Sequence, residues 1–344
     1  MQTTSTHRLF MVLAVFLLAV CGPSTPAATA TPEPSPTPEA RVFEYTVHTS
    51  RTNFALERLQ GLGWEGGYIW TPFVVFRDGS YALFYNGYST QSRGVGLATS
   101  QDGISFTRSS EDPVLLWDQE RELFSPLVYQ NAAGEWVIFM VSDEPRSGLA
   151  GDQVVRYTAP ALEGPWEGGE VVYQAPSEDH WTHAIVIRSL VVEADRLLIG
   201  FDARHDDEIS IGLLQSVDGL DFELVVDAPV FTHGAEGEWD QDGVSSPMLF
   251  ATEDGYEMFY LGLTKSSSGR FTSYEGYNLW IGYATSPDGL SWERDPSNPV
   301  MQIPEEEGTP YMSATKVGDS YQMYFVYGQG SYGIGTATVT ISSP

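Results

Sequence analysis

The sequence predicts an all-β protein, a ring of five four-stranded blades, on three observations. First, Ser100-Gln101-Asp102-Gly103-Ile104-Ser105-Phe106 returns as Ser216-Val217-Asp218-Gly219-Leu220-Asp221-Phe222 and again as Ser286-Pro287-Asp288-Gly289-Leu290-Ser291-Trp292. A repeat at a long interval is the mark of a repeat architecture. Second, Gly and Pro punctuate short apolar runs throughout. Third, no segment sustains a helical period.

The Asp-Gly at the centre of each copy is a tight-turn signal. Asp can bond its own backbone two residues on, and Gly supplies the positive φ the turn needs. Strand-like residues flank it, so each copy reads as a hairpin. The closing aromatic (Phe106, Phe222, Trp292) is expected to pack between neighbouring units.

Two further strands precede each hairpin. In the first unit they are Thr71–Phe76 and Ser80–Tyr85, and in the unit ending at Trp292 they are Ser246–Phe250 and Tyr256–Tyr260. Four antiparallel strands make a propeller blade. A degenerate unit runs from Ser125 through Trp136–Met140 and Val154–Tyr157 to the Glu163-Gly164-Pro165-Trp166 turn. A last unit runs from Ser313 to Val339 and is one strand short. Val42–Val47 can supply that strand and close the ring, which makes the fold a five-bladed β-propeller over residues 41–344.

Ahead of it, His7 and Arg8 precede the apolar run Leu9–Val20. That is a signal-peptide core (residues 1–20), shorter than an ordinary membrane span. Cys21, the single cysteine, follows the run directly and resembles the lipidated residue of a bacterial lipoprotein box. The alternative is a secreted chain cut after Ala30. Residues 21–40 are rich in Pro, Thr, Ser and Ala and are expected to form an extended tether. With one cysteine, no internal disulfide supports the fold.

Seventeen Lys and Arg against 46 Asp and Glu give a formal charge of −29. Such a surface argues against nucleic acid and anionic lipid as partners. The expectation is a secreted, cell-surface or periplasmic monomer, touching membrane only through its lipid anchor.

In a propeller the loops leading into the innermost strands line a cavity at one end of the ring. These approaches are Trp64–Trp70, Arg121–Phe124, Glu178–His183, Glu238–Gly243 and Glu307–Met312. They pair aromatics with carboxylates. Aromatic faces can stack on pyranose C–H surfaces, and carboxylates can bind hydroxyls or move protons. The stacking and binding candidates are Trp70, Glu122, Trp181, His183, Arg204, Trp239 and Tyr311. The candidate acids and bases are Glu65, Asp179, Asp240 and Asp242, each alternatively a turn or rim charge.

The blade pattern Tyr-x-x-Phe-Tyr-x-Gly (Tyr81–Gly87, Tyr256–Gly262), the run Gly282–Trp292 and Gly164-Pro165-Trp166 resemble the five-bladed propellers of glycoside hydrolase families 43, 32, 62 and 130. The resemblance implies hydrolysis of a glycosidic bond in an oligo- or polysaccharide by carboxylates at the central cavity, with phosphate in place of water in family 130. It also implies an Asp-Pro opening the first inner strand, where this chain has Thr71-Pro72, followed by Ser125-Pro126 and Ser246-Pro247 in later blades. The alternative reading is therefore a carbohydrate-binding protein that has lost the base. No cofactor is required. The resemblance allows a calcium ion near His183, against the plainer reading of a core or pocket histidine, and Glu163 reads as a turn residue.

Overall fold

The computed structural model describes residues 40–50, 52–61, 63–117, 122–143, 151–205, 208–265, 277–303, 311–327 and 333–342. The readings on the signal peptide, Cys21 and residues 22–39 fall outside the described residues, as do Arg121, Asp206, Asp207 and Glu307. Among the described residues every regular element is a strand, and each sheet is an antiparallel blade.

Blade 1 runs Tyr68–Arg77, Ser80–Tyr88, Arg93–Ser100 and Thr107–Arg108. Blade 2 runs Glu122–Gln130, Trp136–Asp143, Gln153–Ala159 and Glu167–Gln174. Blade 3 has Ile185–Val192, Leu197–His205, Glu208–Ser216 and Glu223–Leu224, and blade 4 has Gly243–Thr252, Gly255–Lys265, Tyr277–Ser286 and Glu293–Arg294. Blade 5 takes Met312–Val317, Ser320–Tyr327 and Gly333–Ser342 from one end of the domain and Val42–Val47 from the other. The closing pair is in register from Val42↔Ser342 to Val47↔Ala337. The first strand of each blade packs against the first strands of both neighbours, and this completes the ring.

The repeated turn is as the sequence predicts, with the serine as a second organiser. Ser100 Oγ accepts the amide of Gly103 at 2.9 Å, and Asp102 Oδ1 accepts those of Ile104 and Ser105 at 2.8 and 2.9 Å. Gly103, Gly219 and Gly289 all have φ between 70° and 78°. The amides hold the Asp102 carboxyl below the usual carboxylate range.

The aromatics after the first two of these turns, Phe106 and Phe222, seal seams between blades. Phe106 meets Tyr324 of blade 5 edge-on at 5.7 Å, and Phe222 meets Phe139 of blade 2 at 5.1 Å. Trp166 fills the same place in the degenerate blade, edge-on to Phe84 of blade 1 at 6.2 Å. Glu163, in that turn, is exposed. Burying each such ring stabilises the seam by about 1.5–3 kcal/mol, so the core is a set of interblade layers rather than one central mass.

Candidate functional site

Three inner strands carry the same irregularity. Thr71, Ser125 and Ser246 have φ of 46°, 55° and 52°, each directly before a proline, and each lies where the register between first and second strand slips. A non-glycine residue held in this region costs on the order of 1–3 kcal/mol and persists only where its surroundings fix it. Here a side chain on a second strand does so, from the preceding blade for Ser125 and Ser246 and from the same blade for Thr71. Asn86 Oδ1 accepts the Ser125 amide at 3.0 Å and the Thr71 hydroxyl at 2.5 Å. Asp202, at the register position of Asn86, accepts the Ser246 amide at 3.2 Å.

These strand heads meet at the axis. The Trp70 indole stacks on Phe124 of blade 2 at 6.0 Å and stands edge-on to Tyr311, at the head of blade 5, at 5.2 Å. Arg188 of blade 3 lies over the Tyr311 ring at 5.3 Å. Its guanidinium binds Asp202 in bidentate fashion, Nε to Oδ1 at 2.5 Å and Nη2 to Oδ2 at 3.1 Å, with both side chains buried. Arg188 stands where blades 1, 2 and 4 have proline, inside a strand that is apolar apart from it and Ser189. That polar break was the available sequence signal, and sequence reasoning missed it.

Over this floor lies a half-buried aromatic shelf. Tyr68 stacks on Tyr88 at 4.5 Å and meets Trp70 edge-on at 5.8 Å. Arg93 covers the Tyr88 ring at 4.3 Å, reaches Trp117 at 5.7 Å and pairs with Glu122. Burial pushes the Tyr68 phenol up to about 12, aided by Tyr88 and opposed by Arg93. Buried at the strand heads, Ser125 Oγ, Ser313 Oγ and Trp70 Nε1 have no hydrogen-bond partner among the described residues.

The four candidate acids do not join this cluster. Glu65 is wholly buried and used up within blade 1: Oε2 accepts the Tyr85 phenol at 2.8 Å, and Oε1 accepts the Leu59 amide at 2.9 Å and pairs with Arg108 on the outer strand. Asp240 repeats the arrangement in blade 4, where Oδ2 takes Arg294 Nε at 2.9 Å and the Tyr260 phenol at 3.4 Å. Its Oδ1 has no hydrogen-bond partner among the described residues. The phenols of Tyr85 and Tyr260 are raised by burial and by the adjacent carboxylate. Asp242 turns to its own blade, accepting the Lys265 amide at 2.7 Å with Lys265 Nζ at 3.7 Å. Asp179 is exposed.

Of the aromatic candidates, Trp70 and Tyr311 come together and Trp181 and Trp239 do not. Each of the latter packs over the second-strand aromatic of its own blade, Trp181 on Phe201 at 5.7 Å and Trp239 on Tyr260 at 5.6 Å, as Trp64 does on Tyr85 at 5.9 Å. They are packing residues of the repeat. Trp181 Nε1 also donates to Asp227 at 3.1 Å, and with His180 it holds that carboxyl below its usual range.

His183 and Arg204 share the head of blade 3. The Arg204 amide bonds the Ala184 carbonyl, and the rings of His183 and His205 lie 6.3 Å apart. His183 Nδ1 is 3.2 Å from the His180 carbonyl. Among the described residues no group of three His, Cys, Asp or Glu side chains could hold a metal ion.

No protein-family model and no curated protein matches the chain. Solved structures do. A glycosyl hydrolase from Bacteroides ovatus superposes with a TM-score of 0.63 at 16% identity, over 87% of this chain and 93% of that one. A structure described under the family 130 mannoside phosphorylases, said to contain glycoside hydrolases that target β-1,2 mannosidic linkages in Candida mannan, has a TM-score of 0.60 at 16% identity, over 83% and 93%. A thermostable family-43 glycoside hydrolase has a TM-score of 0.56 at 16% identity, over 79% and 88%. The architecture is thus the five-bladed propeller found in glycoside hydrolases, and the resemblance read from the repeat holds at the level of the fold. Fold alone does not assign chemistry.

Proposed function

We propose that the chain is a carbohydrate-active propeller that binds a neutral glycan at the ring axis without cleaving it. One observation carries this reading: among the described residues the axial strand heads hold hydroxyls (Thr71, Ser125, Ser246, Ser313), and the carboxylate there, Asp202, is locked to Arg188. Glycosidic hydrolysis needs two carboxyl groups facing one bond, one of them able to give a proton. Glu65 and Asp240 are each paired to an arginine away from the axis, and Asp242 is held by Lys265. The half-buried rings of Tyr68, Tyr88 and Tyr311 suit a sugar's apolar face, and Arg93 and Glu122 suit its hydroxyls. Lipidation at Cys21 and a place at the outer cell surface belong to the same proposal.

The test is calorimetric titration of the purified protein with arabinan, xylan, fructan and mannan oligosaccharides, each mixture then assayed for released sugar with and without phosphate. Binding without turnover, weakened at least tenfold (about 1.4 kcal/mol) by Tyr68→Ala or Tyr311→Ala, is the expected result. Hydrolysis or phosphorolysis of any member would overturn the non-catalytic reading.

A further inference from the structure

Glu257 breaks the repeat. Its counterparts at the same register are Ala82, Val137, Leu198 and Gln322, yet this carboxylate is 6% exposed. A buried charge at a position filled elsewhere by mainly apolar residues calls for a reason beyond packing.

The carboxylate accepts the Tyr283 phenol and Lys316 Nζ, both at 2.7 Å, and the Tyr321 phenol. Lys316 and Tyr321 belong to blade 5, so the group spans the seam between blades 4 and 5. Above it opens a groove of about 950 Å³, walled by Trp292 and Thr285. It lies among the turns at the end of the ring opposite the strand heads. Its volume is in the range of small-ligand sites.

The charges select the ligand. Lys316 is matched by Glu257, and Arg41, which also lines the groove, is matched by Asp295 at 2.8 Å, so the floor carries no net charge. Asp254, Glu293 and Asp319 lie around it on a chain of net charge −29, which disfavours anions. A neutral, hydroxyl-rich molecule meets no such objection. Lys316 has three N–H donors and gives one to Glu257, and a carboxylate with about four acceptor positions uses three here. Trp292 is half-buried, and its indole is fixed by a 2.8 Å bond from Nε1 to the Gly289 carbonyl.

We propose that this groove is a second saccharide site, taking one sugar ring of a neutral glycan at the end of the propeller opposite the axial site. The inference rests on the carbohydrate-binding reading above. Titration of the whole protein with the same oligosaccharides tests it, alongside two variants that fill the groove from its margin, Thr285→Tyr and Ser291→Trp. The wild type is expected to show two sites. Each groove variant should weaken one of them at least tenfold, and Tyr311→Ala should weaken the other. Two sites of unchanged affinity in both groove variants overturn the inference, as does a single site lost only with Tyr311→Ala, which leaves the axial reading standing. No binding by the wild type sinks both.

Discussion

Asn86 and Ser125 belong to different blades, yet the carboxamide Oδ1 of the first accepts the backbone amide of the second at 3.0 Å. Through that bond blade 1 sets the left-handed backbone at the head of blade 2. Asn86 Nδ2 also donates to the Leu123 carbonyl at 3.2 Å. Replacing Asn86 with Leu strands these buried groups at about 1–3 kcal/mol each, and a lowered urea midpoint is the expected reading. Ser125→Gly should leave stability unchanged or raise it by up to about 1 kcal/mol, since glycine tolerates a φ of 55°.

Asp202 does for Ser246 what Asn86 does for Ser125, and it carries Arg188 besides. Asp202→Asn should keep the clasp but leave a guanidinium buried without its counter-charge. We expect a loss of about 3–5 kcal/mol. The double change Arg188→Met with Asp202→Asn should recover most of it. A double-mutant cycle in urea measures the coupling, and additive losses would refute it.

Blade 3 shows how the buried pairs of blades 1 and 4 can be dispensed with. Where blade 1 has Glu65, Tyr85 and Arg108 and blade 4 has Asp240, Tyr260 and Arg294, blade 3 has Thr182, Phe201 and Leu224. The acid, the phenol and the arginine disappear together. Arg108→Leu alone should therefore destabilise by about 3–5 kcal/mol. The triple change to Thr, Phe and Leu should restore stability to within about 1–2 kcal/mol of wild type, as replacement of a buried ion pair by apolar packing commonly does.

Alkaline pH should unfold the protein cooperatively. The phenols of Tyr85, Tyr260, Tyr283 and Tyr321 are raised by burial and by neighbouring carboxylates, and Tyr324 is raised chiefly by burial. A group with a raised folded pKa contributes stability that is complete below its unfolded value, about 10 for tyrosine, and is lost as pH rises beyond it. Phenolate absorbance should thus appear in step with the loss of near-ultraviolet dichroism above about pH 10. Ionisation of the buried tyrosines in a still-folded protein would contradict this.

The blades were legible because turn chemistry is local: Ser100, Asp102 and Gly103 fix their hairpin within four residues of one another. The surroundings of the candidate acids were not legible because their partners are remote. Arg108 is 43 residues from Glu65, and Arg294 is 54 from Asp240. A signal was there, since Phe106-x-Arg108 and Trp292-x-Arg294 follow their turns while Phe222-x-Leu224 follows the third, in step with the acid after Trp64 and Trp239 and the threonine after Trp181. Trp70 and Tyr311 meet because both stand at strand heads of adjoining blades. Arg188 escaped because it is hidden in an apolar run.

His48 and Thr338 touch at 2.6 Å although 290 residues separate them. The strand that leads to His48, Val42–Val47, is made first among the blades and must wait for Gly333–Ser342, made last. At about 5–20 residues per second the ribosome leaves that interval open for roughly 15–60 s. Throughout it, Phe43 and Tyr45 travel without the sheet that will receive them, and Val42–Val47 keeps its backbone groups unpaired. Chaperone dependence should therefore be governed by this one late pairing, more than by the four blades that can complete themselves as they emerge.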